Sequence, residues 1–146
     1  MTKARKLVID SSVIVKWLNS QDEKYLGQAD KILKDCEKKK VVLYAPELAK
    51  YEVGNAILNK GLDESLARIC LTTLYSLPIS FMPLSKKEAG ESLGIASNSR
   101  ITYYDAVFVA LAKNIDATLV TDNPKHQTRT TGMKIISLKN YKLQTL

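Results

Sequence analysis

The chain has 146 residues, of which 45% are hydrophobic and 25% are charged, a composition typical of a globular protein with one core, so we expect a single domain over residues 1–146. No apolar run approaches the roughly 20 residues of a membrane span, and the apolar stretch near the amino terminus is too short for a signal peptide, which predicts a cytoplasmic protein with no membrane partner. The formal net charge of +7 favours a polyanionic partner, although a cluster such as residues 38–40 is also typical of a solvated helix end.

Short apolar runs alternate with amphipathic stretches along the chain, which predicts an α/β fold with a mostly parallel sheet. The predicted elements in chain order are a strand at residues 6–10, a helix capped by Ser11 or Ser12, helix 23–39, strand 41–45, helix 46–60, helix 63–77, strand 79–84, helix 86–96, helix 103–114, and strands 118–121 and 134–138.

Helix ends carry the expected boundary residues. Asp63, Ser85 and Thr102 are predicted N-caps, Pro46 suits a first helical position, and Gly61 should end the helix that Pro46 opens. The helix over residues 63–77 should turn one set of side chains inward: Leu66, Ile69, Cys70, Thr73, Leu74 and Leu77. The two cysteines, Cys36 and Cys70, have no second ligand at zinc-binding spacing and are predicted to be buried free thiols.

Four carboxylates stand where this fold would bring strand ends and helix faces together. Asp10 and Asp122 end two apolar runs, and the carboxyl ends of neighbouring parallel strands meet at one edge of a sheet. Glu52 and Asp105 interrupt the apolar patterns of two predicted helices, where a charge is costly unless something compensates it. Asn55 shares the helix face of Glu52 by its spacing, so these residues predict a polar pocket at the sheet edge.

Carboxylates that meet in one place repel each other and raise each other's pKa, which a bound divalent cation would relieve. Oxygen ligands without partnering His or Cys select Mg²⁺ or Mn²⁺, and such ions activate water for phosphodiester hydrolysis. The lone His126 argues against a nuclease with paired catalytic histidines.

Each carboxylate also has a simpler interpretation. Asp10 could serve only as an N-cap, and Glu52 would face solvent if the helix phase is off by one residue. Asp105 in a first helical turn favours the helix dipole, and Asp122 before Asn123 suits a turn.

Four segments of the chain carry its acidic residues and their neighbours: Leu-Val-Ile-Asp-Ser-Ser-Val at 7–13, Ala-Pro-Glu-Leu at 45–48 with Glu-Val-Gly-Asn-Ala-Ile at 52–57, Tyr-Asp-Ala at 104–106 with Val-Ala-Leu-Ala at 109–112, and Leu-Val-Thr-Asp-Asn at 119–123. These segments resemble the PIN domain family, and most of all the small single-domain ribonucleases of the VapC toxin group. No segment is decisive alone, but four in this order cover nearly the whole chain. The resemblance implies a three-layer α/β/α fold with a mostly parallel five-stranded sheet, an acidic pocket for Mg²⁺ or Mn²⁺, and endonuclease action on RNA.

The same resemblance assigns roles to particular residues. It makes Asp10, Glu52 and Asp105 catalytic and metal-binding residues, with Ser12 and Asn55 as supporting polar ligands.

The last acidic position departs from the commonest family pattern, which reads Thr-x-Asp. This chain reads Thr121-Asp122-Asn123, and adjacent strand residues face opposite ways, so both side chains cannot enter the pocket in regular geometry. Asp122 is kept as a predicted catalytic and metal-binding residue, and Asn123 as a supporting polar residue that competes for the same inward position.

Substrate and partners are predicted on the same basis. The basic residues nearest the pocket in sequence should contact RNA phosphates unless they are only solvated: Lys16, Lys125, His126 and Arg129. The resemblance implies a small antitoxin protein as partner, and a homodimer. The apolar faces of helices 23–39 and 63–77 would suit such an interface, or else belong to the core.

Two rival functions fit parts of the sequence. A PIN-like module that binds RNA or protein without cutting is kept open by the departure at Asn123. A phosphatase of the aspartyl-phosphate type is built on a similar sheet, but such enzymes begin Asp-x-Asp, whereas Asp10 here is followed by Ser11 and Ser12.

Overall fold

The computed structural model describes residues 2–125 and 132–146. The described elements, in chain order, are β1 Arg5–Ile9, α1 Ser11–Leu18, α2 Leu26–Glu37, β2 Val41–Pro46, α3 Leu48–Asn59, α4 Glu64–Leu74, β3 Ile79–Met82, α5 Lys86–Ser99, α6 Tyr103–Asn114, β4 Thr118–Thr121 and β5 Ile135–Ser137. Two single-turn 3-10 helices follow, at Leu138–Asn140 and Leu143–Thr145. No helix in the described ranges is long and apolar enough to cross a bilayer.

The five described strands form one parallel sheet in the order β3-β2-β1-β4-β5. The chain moves outward from β1 through β2 to β3, and then returns to the other side of β1 to form β4 and β5. Right-handed crossovers place the helices of these two halves on opposite faces of the sheet. Helices α1 to α4 accordingly contact one another, while α5 packs on α6, which confirms the predicted α/β/α arrangement.

The core is densest around the central strands and α6. Leu7, Val8 and Ile9 of β1 are fully buried, and so are Leu119 and Val120 of β4. Every residue of α6 from 106 to 112 is buried, because this helix lies between the sheet and α5. Each large buried aliphatic side chain of this kind contributes about 1.5–3 kcal/mol to burial free energy, so α6 from residue 106 onward is held firmly against the sheet.

Several boundaries differ from the sequence predictions for local reasons. Asp10, rather than Ser11 or Ser12, caps α1, since its side chain accepts a hydrogen bond from the Ser12 amide. The second helix begins only at Leu26, because Asp22 and Tyr25 adopt left-handed φ angles of 58° and 56° that interrupt a helix.

Two further boundaries shift in the middle of the chain. Pro46 ends β2 opposite Met82 instead of opening a helix, and α3 begins at Leu48. Gly61 follows α3 with a φ of 67°, which fits its predicted role as a stop. Asp63, Ser85 and Thr102 cap their helices as predicted.

The inward face predicted for α4 is partly wrong. Cys70 and Leu74 are buried, but Leu66 is 39% exposed and Ile69 is 61% exposed. The cause is the position of α4, which packs on α1 and α3 rather than on the sheet. Both cysteines are free thiols, although Cys36 is only half-buried.

Candidate active site

Asp10 lies at the topological switch point of the sheet. The strand order reverses between β1 and β4, and ligands of open α/β sheets bind at the carboxyl ends of the strands at such a point. Asp10 follows β1 directly, and its amide donates a hydrogen bond of 3.0 Å to the Val120 carbonyl of β4. The fold thus fixes the backbone of this residue on both sides.

Three hydrogen bonds converge on one oxygen of the Asp10 carboxylate. Oδ2 accepts from the Ser12 hydroxyl at 2.6 Å, from the Thr121 hydroxyl at 3.1 Å and from the Ser12 amide at 3.4 Å. The other oxygen, Oδ1, accepts no hydrogen bond from any described residue. Asp10 is therefore oriented through one oxygen, and its other oxygen is not engaged by a described donor.

Glu52 reaches the same edge from the second turn of α3. The Ser11 hydroxyl donates a 2.8 Å hydrogen bond to its Oε1, which links α3 to the first residue of α1. Burial raises the pKa of Glu52, and the negative charges of Asp10 and Asp105 raise it further, against the opposing effect of the Ser11 hydrogen bond.

Asp105 completes the set from the first turn of α6. The Thr102 hydroxyl accepts a 3.0 Å hydrogen bond from its backbone amide, so the N-cap fixes its position. Burial is also the main cause that raises the pKa of Asp10; the Ser12 and Thr121 hydrogen bonds oppose this, and the charge of Asp105 adds to it. Three acids from three separate elements thus act on one another electrostatically.

Asp122 is engaged differently. Its Oδ2 lies 3.0 Å from the Nζ of Lys16, and its amide donates a 3.1 Å hydrogen bond to the Ser12 hydroxyl. The same Lys16 ammonium donates to Glu23 at 3.1 Å and to the Lys24 carbonyl at 2.7 Å. Asp122 is therefore held beside Ser12 by a buried cation.

Lys16, predicted to contact RNA phosphate, is buried and already paired. Its side chain is 1% exposed, and the three donors of its ammonium have partners in Glu23, Lys24 and Asp122. A direct contact with RNA phosphate would require one of these bonds to break. The structure gives Lys16 a positioning role, since it joins α1, the segment before α2 and the end of β4.

The remaining predicted residues lie toward solvent or beyond the described chain. Asn55 is exposed on α3, and Asn123 is exposed while its amide donates to the Thr121 hydroxyl at 3.2 Å. Lys125 is exposed, as a phosphate contact requires. His126 and Arg129 lie outside the described residues.

The donor set suits a hard divalent cation in type. Asp10, Glu52 and Asp105 supply only oxygen. Burial first, and the neighbouring carboxylates second, raise the pKa of Asp10 and Glu52, and a bound cation would favour their ionised forms. Within residues 2–125 and 132–146, no three His, Cys, Asp or Glu side chains are close enough together to hold a metal ion as they stand. The three acids would have to converge on a cation.

Sequence reasoning missed two hydroxyl groups that orient the acids, Ser11 and Thr121. The strand register explains Thr121: Ile9 pairs with Val120, so the residue after each faces its counterpart, and Asp10 meets Thr121 rather than Asp122. The sequence holds no comparable signal for Ser11, because its contact with Glu52 depends on how α1 packs against α3.

Comparison with known proteins gives one family and one fold. A profile of the PIN domain matches residues 7–131, well over half of the chain. No curated protein sequence matches the chain significantly.

Similar solved structures cover nearly the whole chain at low identity. VapBC2 from Rickettsia felis, bound to a DNA fragment from its promoter, has a TM-score of 0.68 at 15% identity, covering 90% of this chain and 98% of that one. PAE2754 from Pyrobaculum aerophilum has a TM-score of 0.65 at 23% identity, covering 92% and 90%. The sarcin–ricin loop cleaving toxin VapC20 from Mycobacterium tuberculosis has a TM-score of 0.63 at 12% identity, covering 87% and 95%. At these identities the structures show a shared fold, and together with the profile match over residues 7–131 they show that the chain belongs to the PIN domain family.

Proposed function

We propose that this protein is a divalent-metal-dependent endoribonuclease and the toxin of a toxin–antitoxin pair. The observation that carries the proposal is the placement of Asp10, Glu52 and Asp105 near the switch point, close enough to act on one another electrostatically; burial and the neighbouring charges raise the pKa of Asp10 and Glu52. Its support is the PIN domain match and the likeness to toxins, one of which cleaves the sarcin–ricin loop of RNA.

Three of the acids share one part in the proposed reaction, and Asp122 has another. Asp10, Glu52 and Asp105 would hold Mg²⁺ or Mn²⁺, which would supply an activated water and neutralise charge on the scissile phosphate. Ser12 and Thr121 keep Asp10 oriented through Oδ2. Asp122 is proposed as an outer member that supports the site through Ser12, and Lys125 as a contact to the RNA backbone.

Cleavage of RNA by purified protein tests the proposal. We expect cleavage with Mg²⁺ or Mn²⁺, loss of cleavage with EDTA, and a fall of about 1,000-fold or more for Asp10→Asn, because the charge that binds the cation is lost. Asp30→Asn, an exposed acid on α2, is the matched control and should cleave like wild type. Cleavage that survives Asp10→Asn or EDTA would contradict the metal mechanism.

The rival function is a PIN-like module that binds RNA or protein without cutting it. The observation in its favour is that Asp122 is paired with Lys16 and Asn123 is exposed, which leaves three acids instead of four near the pocket. RNA binding without any metal-dependent cleavage under the conditions above would favour this rival.

We also propose that a small antitoxin covers the apolar surface of α3 and α4. Tyr51 and Leu58 of α3 are exposed by 78% and 74%, Ile69 of α4 is exposed by 61%, and Tyr75 at the end of α4 is exposed by 68%. Several similar structures are toxin–antitoxin complexes, among them one from Klebsiella pneumoniae with a TM-score of 0.62. Large exposed apolar side chains on two helices that pack together are typical of a protein interface.

Co-expression with the product of a short neighbouring reading frame tests this surface. Ile69→Asp should abolish the complex, whereas Leu93→Asp on α5, a residue of similar exposure, should not. Equal loss with both substitutions, or with neither, would place the interface elsewhere. Light scattering on the isolated 16.3 kDa chain tests the proposed homodimer.

A further inference from the structure

A second charged surface lies at the amino edge of the sheet, opposite the acids. Two adjoining cavities of about 360 and 460 Å³ open there, and Lys3 and Arg5 line both. The cationic side chains lining these cavities define what we term the amino-edge patch: Lys3, Arg5, Lys6, Lys38, Lys39, Lys40 and Lys134.

The strand order brings these residues together. Lys38 to Lys40 precede β2, and Lys134 precedes β5. Lys3 precedes β1, and Arg5 and Lys6 are its first two residues. The Arg5 amide donates to the Lys40 carbonyl at 3.0 Å, and its guanidinium donates to the carbonyls of Leu143 and Leu146 at 2.7 Å. Arg5 therefore anchors residues 143–146, which contribute to the lining of both cavities.

The positive charge of the amino-edge patch exceeds the negative charge that the fold places beside it. Helices α2 and α6 end near this edge, and each helix carboxyl terminus carries about half a negative charge. Among the described residues, Asp116 is the one acidic side chain that lines either cavity. Together these groups offset about two of the seven cations. In the described part of the chain Lys3, Lys6, Lys38, Lys39 and Lys134 form no ion pair.

We propose that the amino-edge patch binds the phosphate backbone of RNA at a distance from the cleavage site. The inference rests on the proposed ribonuclease function, which supplies an RNA ligand. A membrane surface is the less suitable partner, because cationic side chains predominate in the lining of the cavities and the strongly exposed apolar residues Tyr51, Leu58 and Ile69 belong to α3 and α4.

The dimensions of the sheet set the length of RNA required. Arg5 of the patch and Asp10 lie five residues apart along β1, which at about 3.3 Å per residue is about 17 Å. A stacked strand rises about 3.4 Å per nucleotide, so an RNA must extend about five nucleotides beyond the scissile phosphate to reach the patch.

RNA binding by the full chain carrying Asp10→Asn, which should not cut its ligand, tests the proposal. The probe is a labelled single-stranded RNA of about 20 nucleotides, with affinity measured by fluorescence anisotropy between about 50 and 200 mM KCl. The patch variant adds Lys3→Gln and Lys38→Gln, and the control adds Lys86→Gln and Lys87→Gln on α5, which removes the same charge elsewhere. Circular dichroism confirms that both variants are folded.

The patch variant should bind more weakly, and its slope of log affinity against log salt should fall by about 1.4, because each lost contact to single-stranded RNA removes about 0.7. The control should keep the parental slope. Equal loss in patch and control variants, no loss in either, or patch-dependent binding to phosphatidylserine vesicles without patch-dependent RNA binding would overturn the proposal. Patch-dependent RNA binding by a protein that fails to cleave RNA in the wild-type form would support the patch while refuting the nuclease.

Discussion

Substitution of Asp10 by Asn should make the protein more stable at neutral pH while it abolishes activity. The substitution keeps an N-cap side chain, since Asn and Asp cap helices about equally well. Its amide oxygen can accept the three hydrogen bonds that Oδ2 now accepts from Ser12 and Thr121. What is removed is a charge that burial and Asp105 destabilise.

The sign of this change in stability follows from the direction of the Asp10 pKa shift. An acid whose pKa is raised in the folded state binds its proton more tightly there than in the unfolded chain, so its ionisation lowers stability as the pH rises from its ordinary pKa through the raised one. We expect Asp10→Asn to add about 1 kcal/mol at pH 7 without metal, the usual size of a favourable single substitution, or about 4 °C in Tm.

Thermal and urea unfolding with EDTA, at neutral pH and at a pH below the ordinary pKa of Asp, measure this gain. The gain should shrink at the acidic pH, because the wild-type carboxyl is then protonated in both states. Asp30→Asn should change stability little at either pH. A stability loss for Asp10→Asn at pH 7, or a gain that is equal at both pH values, would refute the electrostatic reasoning.

Three further predictions concern the groups around this site. Lys16→Met should destabilise the fold by about 2–3 kcal/mol in urea unfolding, because it leaves Asp122 without its buried cation and leaves Glu23 paired with Lys60 alone. Thr121→Val removes a hydrogen bond that lowers the pKa of Asp10, so the acid limb of a cleavage–pH profile should move to higher pH, and an unmoved limb would count against this contact. Glu52→Gln should abolish metal-dependent cleavage yet keep the fold, as judged by circular dichroism, because Gln can still accept the hydrogen bond from Ser11.

Much of the fold was predictable because local signals and global topology agree in this chain. Helix α6 and strand β4 have the bounds that periodicity and the Thr102 cap indicate. The errors arise where tertiary position overrides pattern: left-handed residues delay α2, and α4 leaves Ile69 exposed because it lies outside the sheet.

The sequence predicts the positions of some residues of the candidate site but not all of their contacts. The placement of Asp10 at a strand end follows from the hydrophobic run before it, and the helical acids from the patterns they interrupt. The pairing of Asp122 with Lys16 could not be predicted, since it depends on the path of the chain between α1 and α2. The Thr121 contact needs the strand register, which the sequence alone does not supply.

Calorimetric titration of the protein with Mn²⁺ at neutral pH tests the central claim most directly, because the claim is that Asp10, Glu52 and Asp105 together form one site for a divalent metal. We predict saturable binding by wild type and by Asp30→Asn, and no saturable binding by Glu52→Gln or Asp105→Asn. Mn²⁺ binding that is unchanged by both Glu52→Gln and Asp105→Asn would contradict the account.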